Sequence, residues 1–216
     1  EELTREFLNK LRQVGCLNLS YGLESGSDKI LKLMNKNYDV KIAERVIRDT
    51  YESGIGFSFN IIIGFPGETE LEFQETLNFI KRNIVYTGSV PLNPLYVQRG
   101  SELYKNRKEW GIEFAQGLNS DLFWYTVDSL NNYEERLRRL NICKNLIGDK
   151  FKTDIDKFQI NKKFFNWHLH YGCNYRCPYC QFQGRWQEMA KFNRYLSPEE
   201  WLVHWQRVYD KYGSIR

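Results

Sequence analysis

A continuous apolar run at positions 55–65, IGFSFNIIIGF, limits the folds that are open to this chain. The run is rich in β-branched and aromatic residues, which favour strands. It is too continuous for a strand that keeps one face in water. The run therefore predicts a strand that is covered on both faces, as in a parallel sheet.

Helical patterns flank this run on both sides. Upstream, Asp39 is predicted to cap a helix whose buried stripe includes Tyr51, and Gly54 is predicted to end that helix. Downstream, Thr69 and Glu72 have the spacing of a capping box, which predicts the start of a second helix. The strand thus lies between two predicted helices.

The same alternation continues along the first 150 residues. Strand-like stretches are predicted at 16–23 and 89–98, and helices at 1–14, 102–110 and 131–147. Strands that alternate with helices are typical of α/β folds with a parallel sheet or barrel. In such folds, functional residues are expected at the carboxyl ends of the strands.

A change in composition and hydrophobic periodicity along the chain predicts a domain boundary. Residues 151–163 belong to a polar, charged stretch without a clear period, and we interpret them as a linker. A new predicted strand at 164–170 follows, and a helix is predicted to begin near Ser197. We therefore expect a first module at 1–150 and the start of a second module at 164–216.

Composition and charge narrow the functional classes. The 31 basic and 27 acidic residues give a net charge of +4 and form no long run of one sign, so no nucleic-acid partner is indicated. No apolar stretch is long enough to cross a membrane, and the first residues do not resemble a signal peptide. The odd number of cysteines favours metal binding in a reducing compartment over disulfides. These features predict a cytoplasmic protein that does not associate with membranes.

Three cysteines are crowded into the loop that follows the strand at 164–170. Cys173, Cys177 and Cys180 have C-x3-C-x2-C spacing. A structural zinc site and an electron-transfer cluster each take four protein ligands, so three thiolates leave one iron open for catalysis. The alternative is a Cys3His zinc site closed by His168 or His170, in a non-catalytic interaction module.

The two remaining cysteines have an ordinary structural interpretation. Cys16 opens a predicted strand, and Cys143 lies on the apolar face of the helix predicted at 131–147. Unpaired cysteine often behaves as a small hydrophobic core residue. Both are therefore predicted to pack in the core and not to ligate metal.

The cysteine loop, with Tyr179 directly before its last cysteine, resembles the cluster loop of radical S-adenosylmethionine (SAM) enzymes. This resemblance implies that Cys173, Cys177 and Cys180 hold a [4Fe-4S] cluster, that SAM chelates the open iron, and that Tyr179 flanks SAM. It also implies an external electron donor such as flavodoxin or ferredoxin. The implied reaction is reductive cleavage of SAM to a 5'-deoxyadenosyl radical, which abstracts hydrogen from an unknown substrate.

The first module resembles the same superfamily through different motifs. SYGLESGSDKILKLMNK at 20–36 and FNIIIGFPGET at 59–69 are similar to the fourth-strand and fifth-strand regions of radical SAM barrels. The resemblance implies that Glu24 and Gly64 bind SAM. Together with PLNPLYVQRGSELY and YEERLRR, the motif GFPGET resembles the class with an upstream cobalamin-binding domain, so cobalamin is a candidate cofactor of a domain upstream of Glu1.

The order of the motifs departs from the family pattern. The late motifs, at Glu24 and Gly64, precede the cysteine loop, and the strands that normally follow that loop are not found in the 36 residues after Cys180. We interpret the chain as the end of one radical SAM module joined to the start of another, and we expect no activity from this fragment alone. A circularly permuted barrel would have too few strands to close. The expected fold is an incomplete (βα) partial TIM-type barrel, with parallel strands and outer helices.

Overall fold

The computed structural model describes residues 3–115 and 121–148, together with four helical positions. These four positions are Val203, Gln206, Arg207 and Asp210. The linker and most of the second module therefore lie outside the described residues. The predicted domain boundaries remain predictions.

The predicted helices and strands occur in the predicted order in the described chain, together with three further small elements. The elements are α1 (Arg5–Gln13), β1 (Asn18–Glu24), α2 (Asp28–Leu33), α3 (Val40–Glu52), β2 (Gly56–Ile63), α4 (Glu70–Asn83), β3 (Leu92–Pro94), α5 (Glu102–Lys105), β4 (Ile112–Phe114), β5 (Trp124–Thr126) and α6 (Tyr133–Ile147).

The first three strands form one parallel sheet in the order β1, β2, β3. Asn18 of β1 pairs with Gly56 of β2, and Ile61 of β2 pairs with Leu92 of β3. This sheet confirms the predicted α/β class with parallel strands. The described residues form a three-stranded segment and not a closed barrel.

The two faces of β2 differ in character. The odd-numbered side chains from Phe57 to Ile63 are buried, and they pack in one core cluster with residues of α3, α4 and α6. Burying one such side chain contributes about 1.5–3 kcal/mol. On the other face, Ser58 and Asn60 are half-buried, and Ile62 packs in a second cluster. The prediction of two covered faces is therefore right only for the carboxyl end of the strand.

Helix starts follow the sequence closely. The side chain of Asp39 accepts a hydrogen bond from the Ile42 N–H at the start of α3. The predicted capping box of Thr69 and Glu72 is present at the start of α4. Burial raises the pKa of Glu72, but hydrogen bonds from Lys29 and Thr69 outweigh this effect and lower the pKa to about 2.

One position of the α3 stripe was predicted wrongly. Tyr51 is half exposed, and the neighbouring Thr50 is buried in its place. The Thr50 hydroxyl lies 2.8 Å from the hydroxyl of Tyr21 on β1 and donates to the Val46 carbonyl oxygen. A polar residue with two hydrogen-bond partners thus takes the core position, and Tyr51 contacts Tyr86 at its ring edge.

Two elements are shorter in the structure than the sequence pattern predicts. Within the stretch 89–98, only Leu92–Pro94 forms a strand, because Pro91 and Pro94 cannot donate backbone hydrogen bonds. The helix predicted at 102–110 ends at Lys105.

Three small elements were not predicted from the sequence. They are α2 and the antiparallel pair of β4 and β5. Each has at most six residues, which is too short for a clear hydrophobic period.

The two isolated cysteines of the first module are only partly as predicted. Cys143 is fully buried in the core, which confirms its structural role. Cys16 lies just before β1, is half-buried, and contacts the Asn18 carbonyl oxygen through its thiol. The prediction that Cys16 is a core residue is therefore wrong.

Candidate functional site

The two predicted SAM-binding residues of the first module lie at one edge of the sheet. Glu24 is the last residue of β1, and Gly64 directly follows Ile63, the last residue of β2. Since β1 and β2 are adjacent and parallel, their carboxyl ends meet at the same edge. The other predicted site residues lie outside the described residues: Cys173, Cys177, Tyr179 and Cys180.

Glu24 lies in an unusual backbone conformation. The pairing of β1 with β2 shifts register between Tyr21 and Glu24, and the φ angle of Glu24 is 75°. A positive φ is disfavoured for residues with a side chain and persists only where the surroundings hold it. Here the Tyr38 hydroxyl lies within hydrogen-bond distance of the carbonyl oxygens of Gly22 and Leu23, at 2.9 and 2.8 Å. The irregular end of β1 is thus tied to the chain that follows α2.

The carboxylate of Glu24 is buried and has two polar neighbours. Asn60 Nδ2 donates to Glu24 Oε2 at 3.1 Å, and Lys36 Nζ lies 3.8 Å from Oε1. Burial raises the pKa of Glu24, while Lys36 and Asn60 lower it in part. These two neighbours therefore favour the ionised carboxylate against the effect of burial.

Gly64 is held on both sides of its backbone. Its N–H donates to Glu68 Oε2 at 2.8 Å, and its carbonyl oxygen accepts from Asn131 Nδ2 at 2.9 Å. Its φ angle is 82°, and a Cβ at this position would lie 2.4 Å from Cγ of Arg136. Glycine is therefore required here both by conformation and by close packing.

Arg136 of α6 fills the space behind Gly64. It is fully buried, and its guanidinium donates to Asn131 Oδ1 and to the carbonyl oxygens of Leu122 and Trp124. Its Cζ also lies 3.9 Å from the centre of the Trp124 ring, a cation–π geometry. Burial lowers the pKa of Arg136 to about 10. The turn after β2 is thus packed against a buried arginine of α6.

A second arginine of α6 forms a buried ion pair with Glu68. Arg139 Nη1 lies 3.0 Å from Glu68 Oε2 and donates to the Glu68 carbonyl oxygen at 3.1 Å. Arg139 Nε donates to Glu135 Oε1 at 2.8 Å. Among the described residues, Glu68 Oε1 has no hydrogen-bond partner. Burial raises the pKa of Glu68 to about 7, although Arg139 and the Gly64 N–H lower it in part.

This buried carboxyl predicts a pH dependence of stability. Because its pKa rises from 4.5 in the unfolded chain to about 7 in the fold, the folded state binds the proton more tightly. The free energy of unfolding should therefore fall as the pH rises from about 4.5 to 7, by up to about 3 kcal/mol. The measurement is urea denaturation at several pH values, compared with Glu68→Gln. That variant should lack this component, and an identical pH profile in both proteins would contradict the assignment.

Several residues of this edge were not singled out from the sequence. They are Asn60, Glu68, Asn93, Asn131, Arg136 and Arg139. Glu68 lies in the motif GFPGET, and the two arginines lie in YEERLRR. In these two motifs, the sequence predicted a SAM-binding role only for Gly64. The signal that could have found the arginines is their i, i+3 spacing, which places two cations on one helix face. Asn60 could have been noticed as the one amide inside the apolar run of β2.

The described residues offer no metal site of their own. Within 3–115, 121–148 and the four helical positions, no group of three His, Cys, Asp or Glu side chains could hold a metal ion. The predicted iron ligands lie elsewhere in the chain, so the metal site remains a prediction. No helix in this described part is long and apolar enough to cross a membrane.

A family model matches the amino-terminal part of the chain. Residues 1–80 match the model described as the radical SAM superfamily. The matched range includes both Glu24 and Gly64 and ends inside α4. It leaves out α6, whose arginines support the turn at Gly64.

Curated relatives are similar to parts of the chain. One from Finegoldia magna, named tRNA-2-methylthio-N(6)-dimethylallyladenosine synthase, is 37% identical over 156 residues, which are 71% of this chain and 30% of the relative. A relative of the same name from Carboxydothermus hydrogenoformans is 30% identical over 156 residues, covering 66% and 32%. Another from Nitratidesulfovibrio vulgaris is 43% identical over 68 residues, covering 31% and 15%. The chain thus spans at most about a third of the length of these relatives.

Enzymes of the radical SAM superfamily use a [4Fe-4S] cluster and SAM. The geometry of the described edge and the sequence matches concern the same residues, because the matched range contains the buried Glu24 and the tightly packed Gly64. On the family-model match and the similarity to these relatives, the chain belongs to the radical SAM superfamily.

Proposed function

We propose that this chain is an internal piece of a longer radical SAM enzyme that reductively cleaves SAM and abstracts hydrogen from a substrate. In this proposal, residues 1–150 are the carboxyl-terminal half of one barrel with its trailing helices. Residues 151–163 are the linker, and residues 164–216 begin a second radical SAM module. The observation that carries the proposal is the superfamily match over residues 1–80, which includes Glu24 and Gly64.

The residues at this edge fit a role in binding SAM. The Glu24 carboxylate is acceptor-only when ionised, and the structure gives it one amide donor and one ammonium neighbour. It therefore retains acceptor capacity for hydroxyl or ammonium groups of a ligand. Gly64 presents only backbone atoms at the carboxyl end of β2, because the space that a Cβ would occupy is filled by Arg136.

Each predicted site residue has a separate role in this proposal. Glu24 accepts hydrogen bonds from SAM, and the backbone at Gly64 lies against SAM. In the second module, Cys173, Cys177 and Cys180 hold the cluster, and Tyr179 flanks SAM. When bound, the cluster would supply the electron for cleaving the sulfonium of SAM. An external donor such as flavodoxin or ferredoxin would then reduce the cluster again.

The substrate is a separate question. The matched relatives are named as tRNA-modifying synthases, whereas the even charge distribution alone predicted no nucleic-acid partner. Because the chain spans so little of these relatives, their substrate does not transfer directly. We therefore include tRNA among the substrates to be tested with the full-length protein. Cobalamin is to be tested separately, as an additional cofactor of an upstream domain.

Anaerobic reconstitution with iron and sulfide tests the cluster assignment. We expect a broad brown absorption and about four irons per chain that depend on the cysteine loop. Replacing Cys173, Cys177 and Cys180 together with alanine should abolish this iron, while Cys16→Ala, outside the loop, serves as the matched control. Iron that survives the triple substitution would contradict the assignment.

The competing proposal is a zinc-binding interaction module of Cys3His type. It predicts colourless protein with one zinc, and loss of that metal when His168 or His170 is replaced with alanine. The radical SAM proposal predicts that both histidine variants keep their iron. Metal analysis of these two variants therefore separates an open cluster from a closed zinc site.

A further inference from the structure

A chain of side-chain hydrogen bonds crosses all three parallel strands. It lies on the face of β2 opposite the helix-packed core, where the even-numbered residues point. Asn93 Nδ2 on β3 donates to Asn60 Oδ1 on β2 at 2.8 Å, and Asn60 Nδ2 donates to Glu24 Oε2 on β1 at 3.1 Å. The chain therefore ends on the carboxylate that is proposed to bind SAM.

The chemistry of the three groups gives this chain one direction. A carboxylate can only accept, so Asn60 has to present its NH2 group to Glu24. Its carbonyl oxygen then points the other way, where it accepts from the NH2 group of Asn93. Each amide is thus oriented by the next one along the chain. Loss of Asn93 would remove the contact that holds the Asn60 amide in this orientation.

The structure also holds the backbone of Glu24 in a strained conformation. The φ angle of 75° is disfavoured for glutamate, and Tyr38 ties the carbonyl oxygens just before it. Gly22 leaves space for the carboxylate, since a Cβ at that position would lie 2.8 Å from Glu24 Oε1. Both the backbone and the side chain of Glu24 are therefore fixed from neighbouring elements.

The same face provides a natural comparison. Two residues before Asn60, Ser58 Oγ donates to Ser20 Oγ at 3.3 Å, which also links β1 and β2. This pair lies further from the carboxyl edge of the sheet than Asn60 and Glu24 do. It has the features of an ordinary polar surface pair, so it serves as the control for a cross-strand bond without a site role.

We propose that Asn60 and Asn93 are positioning residues that orient the carboxylate of Glu24 for SAM. This inference rests on the proposed function, because it assumes that Glu24 contacts SAM. Asn60 acts directly on the carboxylate, and Asn93 acts through Asn60. The role of Asn93 is therefore exerted from two strands away.

The test measures SAM affinity by anaerobic calorimetry on the full-length protein with a reconstituted cluster. Asn60→Leu should weaken SAM binding about tenfold, which corresponds to the loss of one hydrogen bond to a charged group. Asn93→Leu should weaken it about threefold, because Asn60 stays but is no longer oriented. Ser58→Ala should change the affinity less than twofold. Should Asn60→Leu fail to fold, Asn93→Leu, at an exposed position, carries the test.

A double-mutant cycle with Glu24→Gln shows whether the effect passes through Glu24. If it does, adding Asn60→Leu to Glu24→Gln should weaken SAM binding no further. Multiplicative effects would overturn the inference, and so would unchanged affinity in Asn60→Leu and Asn93→Leu while Glu24→Gln binds SAM weakly. Unchanged affinity in Glu24→Gln itself would instead overturn the proposed SAM contact, and the inference with it.

Discussion

Replacing Arg139 with methionine is expected to destabilise the first module by roughly 3–5 kcal/mol at pH 8. The substitution leaves the carboxylate of Glu68 buried without its cation, since Arg139 Nη1 lies 3.0 Å from Glu68 Oε2 and both side chains are almost fully buried. The effect should shrink at lower pH, because Glu68 can then take up a proton. Urea denaturation measures the change in the free energy of unfolding. Hydrogen exchange of the α6 amides shows whether the loss of stability is located at this helix.

The adjacent arginine offers a matched control for this variant. Arg138 also pairs with carboxylates, those of Glu70 and Glu135, but about half of its side chain is exposed. Arg138→Met should therefore cost less than about 1 kcal/mol. The double variant Glu68→Leu/Arg139→Met should recover part of the lost stability, because the apolar pair leaves no buried charge but deprives the Gly64 N–H of its acceptor. Equal losses for Arg138→Met and Arg139→Met would refute the buried-pair argument.

Replacing Gly64 with alanine should destabilise the fold by roughly 2–5 kcal/mol, the second large effect. Part of the loss is conformational, since the φ angle of 82° disfavours any residue with a Cβ. The other part is steric, since the new methyl group would lie 2.4 and 2.5 Å from Cγ and Cδ of Arg136. Arg136 cannot easily move, because its guanidinium donates to three oxygen atoms.

Gly100 separates these two contributions. Its φ angle is 93°, similar to that of Gly64, but a Cβ there would meet no atom within 4 Å. Gly100→Ala should therefore cost only the conformational part, roughly 1–2 kcal/mol. The difference between the two variants in urea denaturation reports the packing of Arg136 against the turn. If Gly64→Ala cost no more than Gly100→Ala, the close packing would have no energetic role.

Local sequence signals predicted the elements that depend on neighbours along the chain. The cap at Asp39, the capping box at Thr69 and Glu72, and the existence of strand β2 follow from residues a few positions apart. The parallel class followed from the alternation of strands and helices. Tyr51 was misplaced because a helical period alone does not distinguish it from its neighbour Thr50, whose partner Tyr21 lies 29 residues away.

The sequence by itself was sufficient for the superfamily, for the parallel α/β class and for Glu24 and Gly64 as candidate site residues. Only the tertiary structure could reveal that Arg136 packs behind Gly64, and that Asn60 and Asn93 form a chain ending on Glu24. The physical reason is that these contacts join residues more than 30 positions apart. Their geometry depends on strand register and on how α6 packs, and neither is encoded in any short stretch of sequence.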